Sequence, residues 1–403
     1  MNNFSTPYDV SGQPLNWTDD AWERCREHWA LADGVTYLNH GSFGKAPTVV
    51  DLAREHWRQE IEAGAFDFFE NRLGRELKLV RQRLATFVGC AEGDLALVEN
   101  TTAGMNAVAA SVPLSTGDEV LLNDHEYGAV ERLWRARCAA AGATLVVREI
   151  PTPVVSHDDV ARHIIAGITS RTKLVVLSHV TSPTATIMPV AAVCRAAKAS
   201  GARLCVDGAH APAMLPLDLT SLDCDYYVAS CHKWLCGARG SGFFYAHPRR
   251  QAEARPAIIS WGRTLPGDEP SWRDAFNWSG TRDVTPLLAI PAAIDFLEEL
   301  GLNGFRGRSH HLAKYARERL LALDGAEAIT ADDDSLFGSM AAVRLADGDA
   351  KSLRIALWEK YRIEAPVLEW NAQRLIRVSC HLYNRREEID DLVAAVDALL
   401  AAE

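Results

Sequence analysis

Several features typical of membrane, secreted and nucleic-acid-binding proteins are missing from this sequence. No apolar run is long enough to span a bilayer, and the start, Met1–Ser5, has neither the basic nor the apolar segment of a signal peptide. Basic residues are not in excess, and the formal net charge of -11 argues against an anionic nucleic-acid or membrane surface as a partner. We therefore expect a cytoplasmic protein with no membrane and no nucleic-acid partner.

Paired cysteines are also missing. The nine cysteines are scattered, and no two of them form a C-x-x-C pair. We expect neither a disulfide framework nor a metal site, because both usually show regular cysteine spacing. There is no internal repeat and no low-complexity tract. The 403 residues, 48% of them hydrophobic and 24% charged, are enough for two or three ordinary globular domains.

From Asp94 onwards, short apolar runs alternate with helical patterns. Near-continuous apolar strands separated by helices are typical of a mostly parallel sheet covered on both faces, so the predicted fold class is α/β. We predict an N-terminal arm and helix over 1–34 that joins the small domain, a large domain over 35–285, and a small α+β domain over 286–403. The predicted strands of the large domain are Leu95–Glu99, Val120–Asn123, Thr144–Ile150, Lys173–Val180, Arg203–Asp207, Tyr226–Ala229 and Gly242–Ala246.

Polar clusters follow five of these strands. Ligands of parallel sheets bind beyond the carboxyl ends of the strands, so these clusters are the first place to look for a site. They are Asn100–Thr102, Asp124–Tyr127, Thr181–Ser182, Asp207–His210 and Ser230–Lys233.

Lys233 and Asp207 are the residues in these clusters with the most specific chemistry. Lys233 follows a buried strand among apolar residues, and desolvation would lower its pKa and make it a nucleophile for carbonyl compounds. It could instead be a surface lysine that starts a loop. Asp207 could hold a protonated pyridine nitrogen or simply cap a helix, and Gly208 would let a flat ring approach. The pair predicts a pyridoxal 5'-phosphate (PLP) site.

The segments Asp207-Gly208-Ala209-His210 and Ser230-Cys231-His232-Lys233-Trp234 resemble the aminotransferase class V group of fold-type-I PLP enzymes. The segments Tyr37–Gly44 and Asp124–Gly128 are most similar to its isopenicillin N epimerase-like branch, and the resemblance covers about residues 35–395. It implies an amino-acid substrate and proton abstraction at Cα, with epimerisation as the first expectation. A β-eliminating C–S lyase acting on a cysteine-derived substrate and an aminotransferase are the alternatives. A non-catalytic relative is the least expected.

The resemblance also implies how the cofactor is bound. Lys233 would be the Schiff-base lysine and would move the Cα proton, while Asp207 would pair with the pyridine nitrogen. His210 and Ser182 would lie near the ring hydroxyl, although many relatives have asparagine where this chain has Ser182. Either His125 or Tyr127 would stack on the ring. The phosphate would be held by Thr101, Thr102, Ser230 and His232.

On the substrate side, the resemblance places the substrate carboxylate on Arg377, whose guanidinium can donate two parallel hydrogen bonds. Arg377 could instead be a surface arginine at a strand edge. Asn39 and His40 would line the substrate side or merely form a turn. Thr281 would reach the phosphate of a neighbouring subunit, which implies a homodimer with shared active sites. The stretch Ile363–Trp370 lacks the nucleophilic cysteine of desulfurases, so we do not expect a persulfide-forming enzyme.

Overall fold

The computed structural model describes residues 24–262, 264–265, 267 and 269–403. Most of the N-terminal arm and helix predicted over 1–34, namely residues 1–23, lies outside the described residues. No helix within these ranges is long and apolar enough to cross a membrane.

Within the described ranges the chain alternates between strands and helices. The strands are β1 (Thr36–Tyr37), β2 (Leu95–Val98), β3 (Glu119–Asn123), β4 (Thr144–Arg148), β5 (Thr172–Ser178), β6 (Arg203–Asp207), β7 (Tyr226–Ser230), β8 (Gly242–Ala246), β9 (Glu327–Ala328), β10 (Met340–Arg344), β11 (Ile363–Glu364), β12 (Val367–Trp370) and β13 (Gln373–Ser379). The α-helices are His40–Phe43, Thr48–Ala63, Ala65–Asp67, Leu73–Val88, Thr101–Ser111, Gly128–Ala141, His157–Ile165, Val190–Ser200, Leu219–Leu222, Asp274–Asn277, Thr285–Leu288, Ile290–Leu300, Leu302–Leu321, Ala350–Tyr361 and Arg386–Leu400.

The large sheet has seven strands in the order β2-β8-β7-β6-β5-β3-β4. Every neighbouring pair is parallel except those of β8, which runs antiparallel to both β2 and β7. Helices cover both faces. In β7, for example, Tyr226 and Val228 pack into the core on one face and Tyr227 and Ala229 into the core on the other. Burial on both faces explains the near-continuous apolar strands, and the predicted α/β fold class is confirmed.

A second, smaller sheet has the strand order β12-β13-β10-β9 and is antiparallel throughout. The N-terminal segment is joined to this part of the chain, because β1 pairs in parallel with β11 and Leu38 packs in the core of the small sheet. The domain boundaries at residues 34 and 285 stay a prediction.

Candidate active site

A cavity of about 220 Å³ opens where the parallel strands of the large sheet end. The last residues of β5, β6 and β7 are Ser178, Asp207 and Ser230, and all three line it. Because Ser178 pairs with Asp207 in the sheet register, their side chains are neighbours. The predicted site residues that line the cavity are Thr101, Thr102, Tyr127, Ser182, Asp207, His210, Ser230, His232 and Lys233.

The Lys233 amine contacts an imidazole in this cavity. Its Nζ lies 3.1 Å from His210 Nε2, while Trp234 Nε1 donates to His210 Nδ1 at 3.3 Å. Because Nδ1 of His210 accepts a hydrogen bond, the neutral imidazole carries its proton on Nε2. This proton can be donated to the Lys233 amine only when the amine is uncharged. Burial lowers the pKa of Lys233 to about 8, although the Asp207 carboxylate opposes the shift. Burial also holds the pKa of His210 well below its usual range. The arrangement favours the neutral, nucleophilic form of Lys233.

Asp207 is buried at the end of β6 and lines the cavity. Its Oδ1 accepts a hydrogen bond from the Ala209 N–H at 2.9 Å. Burial raises the pKa of Asp207, while this hydrogen bond and the charge of Lys233 act in the opposite direction. We expected Gly208 to let a flat ring approach the backbone. The ring that does so is the side chain of Tyr227, because a Cβ at position 208 would lie 2.0 Å from it. Glycine at position 208 therefore makes room for Tyr227.

The end of the cavity nearest the helix Thr101–Ser111 is suited to an anion. The Thr101 N–H donates to Ser230 Oγ at 3.0 Å, and within the described part of the chain the next N–H, that of Thr102, has no protein partner. A free N–H at a helix N-terminus favours negative charge. His232 also lines the cavity, and its buried Nδ1 has no partner among the described residues. Burial and the charge of Lys233 lower the pKa of His232 to about 4.

Arg377 adds a buried positive charge behind the wall of the cavity. Its Nη1 donates to the carbonyl and Oγ of Ser182 at 2.6 and 3.2 Å, and its Nη2 donates to Ser42 Oγ at 2.7 Å. Both serines line the cavity. In the described ranges no acid pairs with Arg377, and its Nε is without a partner. Burial lowers its pKa to about 10. A buried cation without a counter-charge is costly, so the site is suited to a carboxylate.

His125 and Tyr127, the two alternatives for the stacking ring, lie in different environments. Tyr127 is half exposed and lines the cavity. His125 is fully buried, with Nδ1 2.8 Å from Thr184 Oγ1 and Nε2 3.2 Å from the Ile150 carbonyl, and it packs edge-on against Trp370. Its hydrogen-bonding atoms are thus engaged away from the cavity, which leaves Tyr127 as the flat ring beside it.

The other predicted residues, Asn39, His40 and Thr281, do not line the cavity. His40 is fully buried behind Lys233, with one ring nitrogen on the Lys233 carbonyl and the other on the Tyr383 hydroxyl. This placement does not support the substrate-side role predicted for His40. Asn39 is also buried, and its Oδ1 has no partner among the described residues. Thr281 is exposed and lies outside the cavity of its own chain.

Two residues beside Asp207, Glu126 and Ser178, were given no role from the sequence. The Glu126 carboxylate accepts hydrogen bonds from Ser178 N–H at 2.8 Å, Ser178 Oγ at 2.6 Å and Asn123 Nδ2 at 2.7 Å. Burial, together with the charge of Asp207, raises the pKa of Glu126 to about 7, while these hydrogen bonds act in the opposite direction. Glu126 belongs to the polar cluster Asp124–Tyr127 that follows β3, and Ser178 is the last residue of β5, so the strand-end signal that identified Asp207 could have found both.

These groups together fit PLP. The cavity offers a neutral amine for its aldehyde, a buried carboxylate for its pyridine nitrogen and a helix N-terminus for its phosphate. A bound cofactor could give the unpartnered nitrogen of His232 a hydrogen bond, and a bound substrate carboxylate could give Arg377 the counter-charge that it lacks among the described residues.

The sequence matches proteins of known activity over most of its length. The family model for aminotransferase class-V matches residues 37–392. The isopenicillin N epimerase of Amycolatopsis lactamdurans is 38% identical over 94% of this chain and 98% of its own length. The isopenicillin N epimerase of Streptomyces clavuligerus is 37% identical over the same shares of the two chains. A putative L-cysteine desulfhydrase of Oryza sativa subsp. japonica is 28% identical over 91% of this chain and 84% of its own length.

Solved structures of PLP enzymes have the same fold. A variant of C-DES with glycine covalently linked to the PLP cofactor superposes with a TM-score of 0.82 at 23% identity, covering 92% of this chain and 98% of the other. The chain thus belongs to the aminotransferase class-V family and is a fold-type-I enzyme that uses pyridoxal 5'-phosphate.

Proposed function

We propose that this enzyme inverts the configuration at Cα of an amino acid or amino-acid conjugate, as an isopenicillin N epimerase-like enzyme. The observation that carries the proposal is the identity of 37–38% with two isopenicillin N epimerases over 94% of the chain. The alternative, a β-eliminating C–S lyase, has weaker support, because the L-cysteine desulfhydrases of rice are 27–28% identical.

Lys233 and Asp207 are the cavity residues that we assign to the chemical steps of this reaction. Bound PLP supplies an electron-withdrawing ring that stabilises the negative charge left when Cα loses its proton. Lys233 would hold the cofactor through its amine as the Schiff-base lysine, and the free amine would remove the Cα proton. Asp207 would keep the pyridine nitrogen protonated. A proton returned to the opposite face of Cα would give the epimer. Loss of a group from Cβ would make the enzyme a lyase, and transfer of the proton to the cofactor would make it an aminotransferase.

A panel of L-amino acids and cysteine conjugates, incubated with PLP-loaded protein in deuterated water, tests the proposal. We expect deuterium at Cα together with the D-isomer. Release of pyruvate and ammonia from cysteine conjugates, without any D-isomer, would contradict the epimerase proposal and support the lyase. A protein that stays colourless with added PLP would overturn both.

Arg377 is the residue that we assign to the substrate carboxylate. Changing Arg377→Lys keeps a positive charge but removes the forked pair of donors, and we expect kcat/KM to fall about 100-fold, mainly through KM. Steady-state kinetics on the best amino acid of the panel measure the effect. Arg344→Lys is the matched control, since Arg344 lies on the neighbouring strand and pairs with Glu327 at the surface. An unchanged KM in the Arg377 variant would contradict the assignment.

Tyr127, and not His125, is the residue that we assign to the face of the PLP ring. Because aromatic stacking contributes about 1 kcal/mol, Tyr127→Ala should weaken PLP binding about five- to tenfold, whereas Tyr127→Phe should not. Equilibrium dialysis of PLP against both variants decides the point. If the alanine and phenylalanine variants bind PLP with equal affinity, Tyr127 does not stack on the ring.

We also propose that the enzyme is a homodimer in the cytoplasm. The segment around Ile259 and Trp261, whose side chains are 92% and 83% exposed, offers apolar surface that a second copy would cover. Thr281, which lies outside its own cavity, would then reach the phosphate in the partner. Sedimentation velocity measures the mass, and a monomer that binds PLP with full affinity would exclude shared active sites.

A further inference from the structure

Lys233 is the first residue of a tight turn whose geometry is strained. Its carbonyl accepts the Cys236 N–H at 2.9 Å, and Cys236 has a φ of 59°, in the left-handed region that residues with a Cβ disfavour. The opposite side of the turn is closely packed, because a Cβ at Gly44 would lie 2.1 Å from the His232 carbonyl oxygen. A strained turn persists only where its surroundings hold it, so the contacts of the Lys233 carbonyl matter for the position of its amine.

His40 supplies the second hydrogen bond to this carbonyl. Its Nε2 lies 3.0 Å from the Lys233 oxygen, and its Nδ1 lies 2.7 Å from the Tyr383 hydroxyl. A carbonyl only accepts, so Nε2 carries the proton and Nδ1 accepts from the tyrosine. Tyr383 follows β13 of the small sheet, so this chain of hydrogen bonds connects the small sheet to the turn that carries the amine.

Burial keeps this pair of side chains in one protonation state. His40 and Tyr383 are 0% and 1% exposed. Desolvation lowers the pKa of His40 to about 3 and holds that of Tyr383 well above its usual range. The imidazole is therefore neutral and the hydroxyl protonated throughout the physiological range, and the direction of both hydrogen bonds is constant.

A metal site is the other interpretation of this region. The nitrogen and sulfur atoms of His40, Cys236 and His381 lie within 4.8 Å of one another. The two imidazoles are stacked, however, with centroids 4.0 Å apart and planes 20° from parallel, so their lone pairs do not converge on one point. The Nε2 proton of His40 is also directed at the Lys233 carbonyl. The cluster is better explained as packing around that hydrogen bond.

We infer that His40 is a positioning residue whose hydrogen bond to the Lys233 carbonyl locks the Lys233–Cys236 turn and places the amine against His210, with Tyr383 fixing the required tautomer. The inference rests on the proposed role of Lys233 as the residue that bonds PLP. It gives His40 a role behind the lysine, where the sequence predicted a place on the substrate side.

A set of variants separates positioning from packing. His40→Phe keeps a ring in the stack but removes both nitrogens, whereas His40→Gln can return a donor to the carbonyl. Tyr383→Phe removes a single hydroxyl and tests the same hydrogen bonds should His40→Phe fail to fold. Cys236→Gly, added to His40→Phe, relieves the strain at φ 59°. The matched control is His310→Phe, because His310 also bonds a backbone carbonyl, that of Gly338, and stacks on a ring away from the cavity.

The first measurement is amide hydrogen exchange of the segment 230–240 in protein free of PLP, and the second is the affinity for PLP alone. We expect His40→Phe to lose protection in this segment and to bind PLP about tenfold more weakly. We expect Tyr383→Phe to show a smaller change in the same direction. His40→Gln, the double variant with Cys236→Gly, and His310→Phe should all lie within about threefold of wild type.

The inference would be overturned if His40→Phe and Tyr383→Phe showed the same amide protection and the same PLP affinity as the wild-type protein. A His40→Gln variant as impaired as His40→Phe would also overturn it, because that outcome would mean packing alone. The exchange measurement needs no cofactor. A wild-type protein that fails to bind PLP would therefore count against the proposed function, while the exchange data would still decide the role of His40.

Discussion

Changing Lys233→Ala should abolish the attachment of PLP that borohydride makes permanent, and should slow proton exchange at Cα by about 10³-fold or more. A positioned general base alone contributes about 10²- to 10⁴-fold, and this change also removes the covalent bond to the cofactor. Mass spectrometry of the reduced protein and deuterium incorporation into an amino acid measure the two effects. Lys198→Ala is the matched control, since Lys198 is an exposed lysine paired with Asp223.

The pKa of Lys233 gives this result a pH dependence. Only the neutral amine attacks an aldehyde, and its fraction rises with pH until the pKa of about 8 is passed. The rate at which wild-type protein free of cofactor captures PLP should therefore rise about tenfold per pH unit below that value and level off above it. A variant without Lys233 that still acquires a reducible PLP label at the wild-type rate would exclude this residue.

Changing Asp207→Asn should lower the rate of Cα exchange by about 10³-fold while PLP stays bound, because an amide cannot keep the pyridine nitrogen protonated as a carboxylate does. The amide oxygen can still accept the Ala209 N–H, so the local turn should survive. Removing the carboxylate also removes an interaction that raises the pKa of Lys233, so the midpoint of PLP capture should move below pH 8. Exchange rate, PLP stoichiometry and the capture profile are the three measurements.

Asp218→Asn is the matched control for this change. Asp218 also accepts a backbone N–H, that of Ser221, but lies on the surface away from the cavity. If the Asp207→Asn variant exchanges the Cα proton of the substrate as fast as the Asp218→Asn variant does, Asp207 only accepts a hydrogen bond in the fold.

The large sheet could be predicted because its strands are buried on both faces and are therefore almost wholly apolar. Arg203–Asp207 and Gly242–Ala246 have the predicted bounds at both ends. The same reasoning located Asp207 and Lys233, since polar side chains at the ends of such strands have few structural reasons to be there. What local sequence could not give is the antiparallel direction of β8, which depends on its two neighbours in the sheet.

The directions of side chains in the connecting loops could not be predicted in the same way. His125 and Tyr127 lie two residues apart in one turn. The imidazole is held away from the cavity by its hydrogen bonds to Thr184 and Ile150 and by packing against Trp370. His40 was expected on the substrate side, but its environment is set by Tyr383, which is 343 positions away in the sequence. Thr281 needs a second chain before any role can be assigned to it. For His125 and His40 the deciding contacts are distant in sequence.

The parallel pairing of β1 with β11, and the hydrogen bond from Tyr383 to His40, also constrain the order of assembly during synthesis. The strands of the large sheet leave the ribosome long before Tyr383 does, and N-terminal units generally fold first. The nascent chain would therefore hold its lysine in an unsecured turn until Tyr383 has emerged. Vitamin B6 would then bind at full strength only after the small sheet has docked and Tyr383 has reached His40.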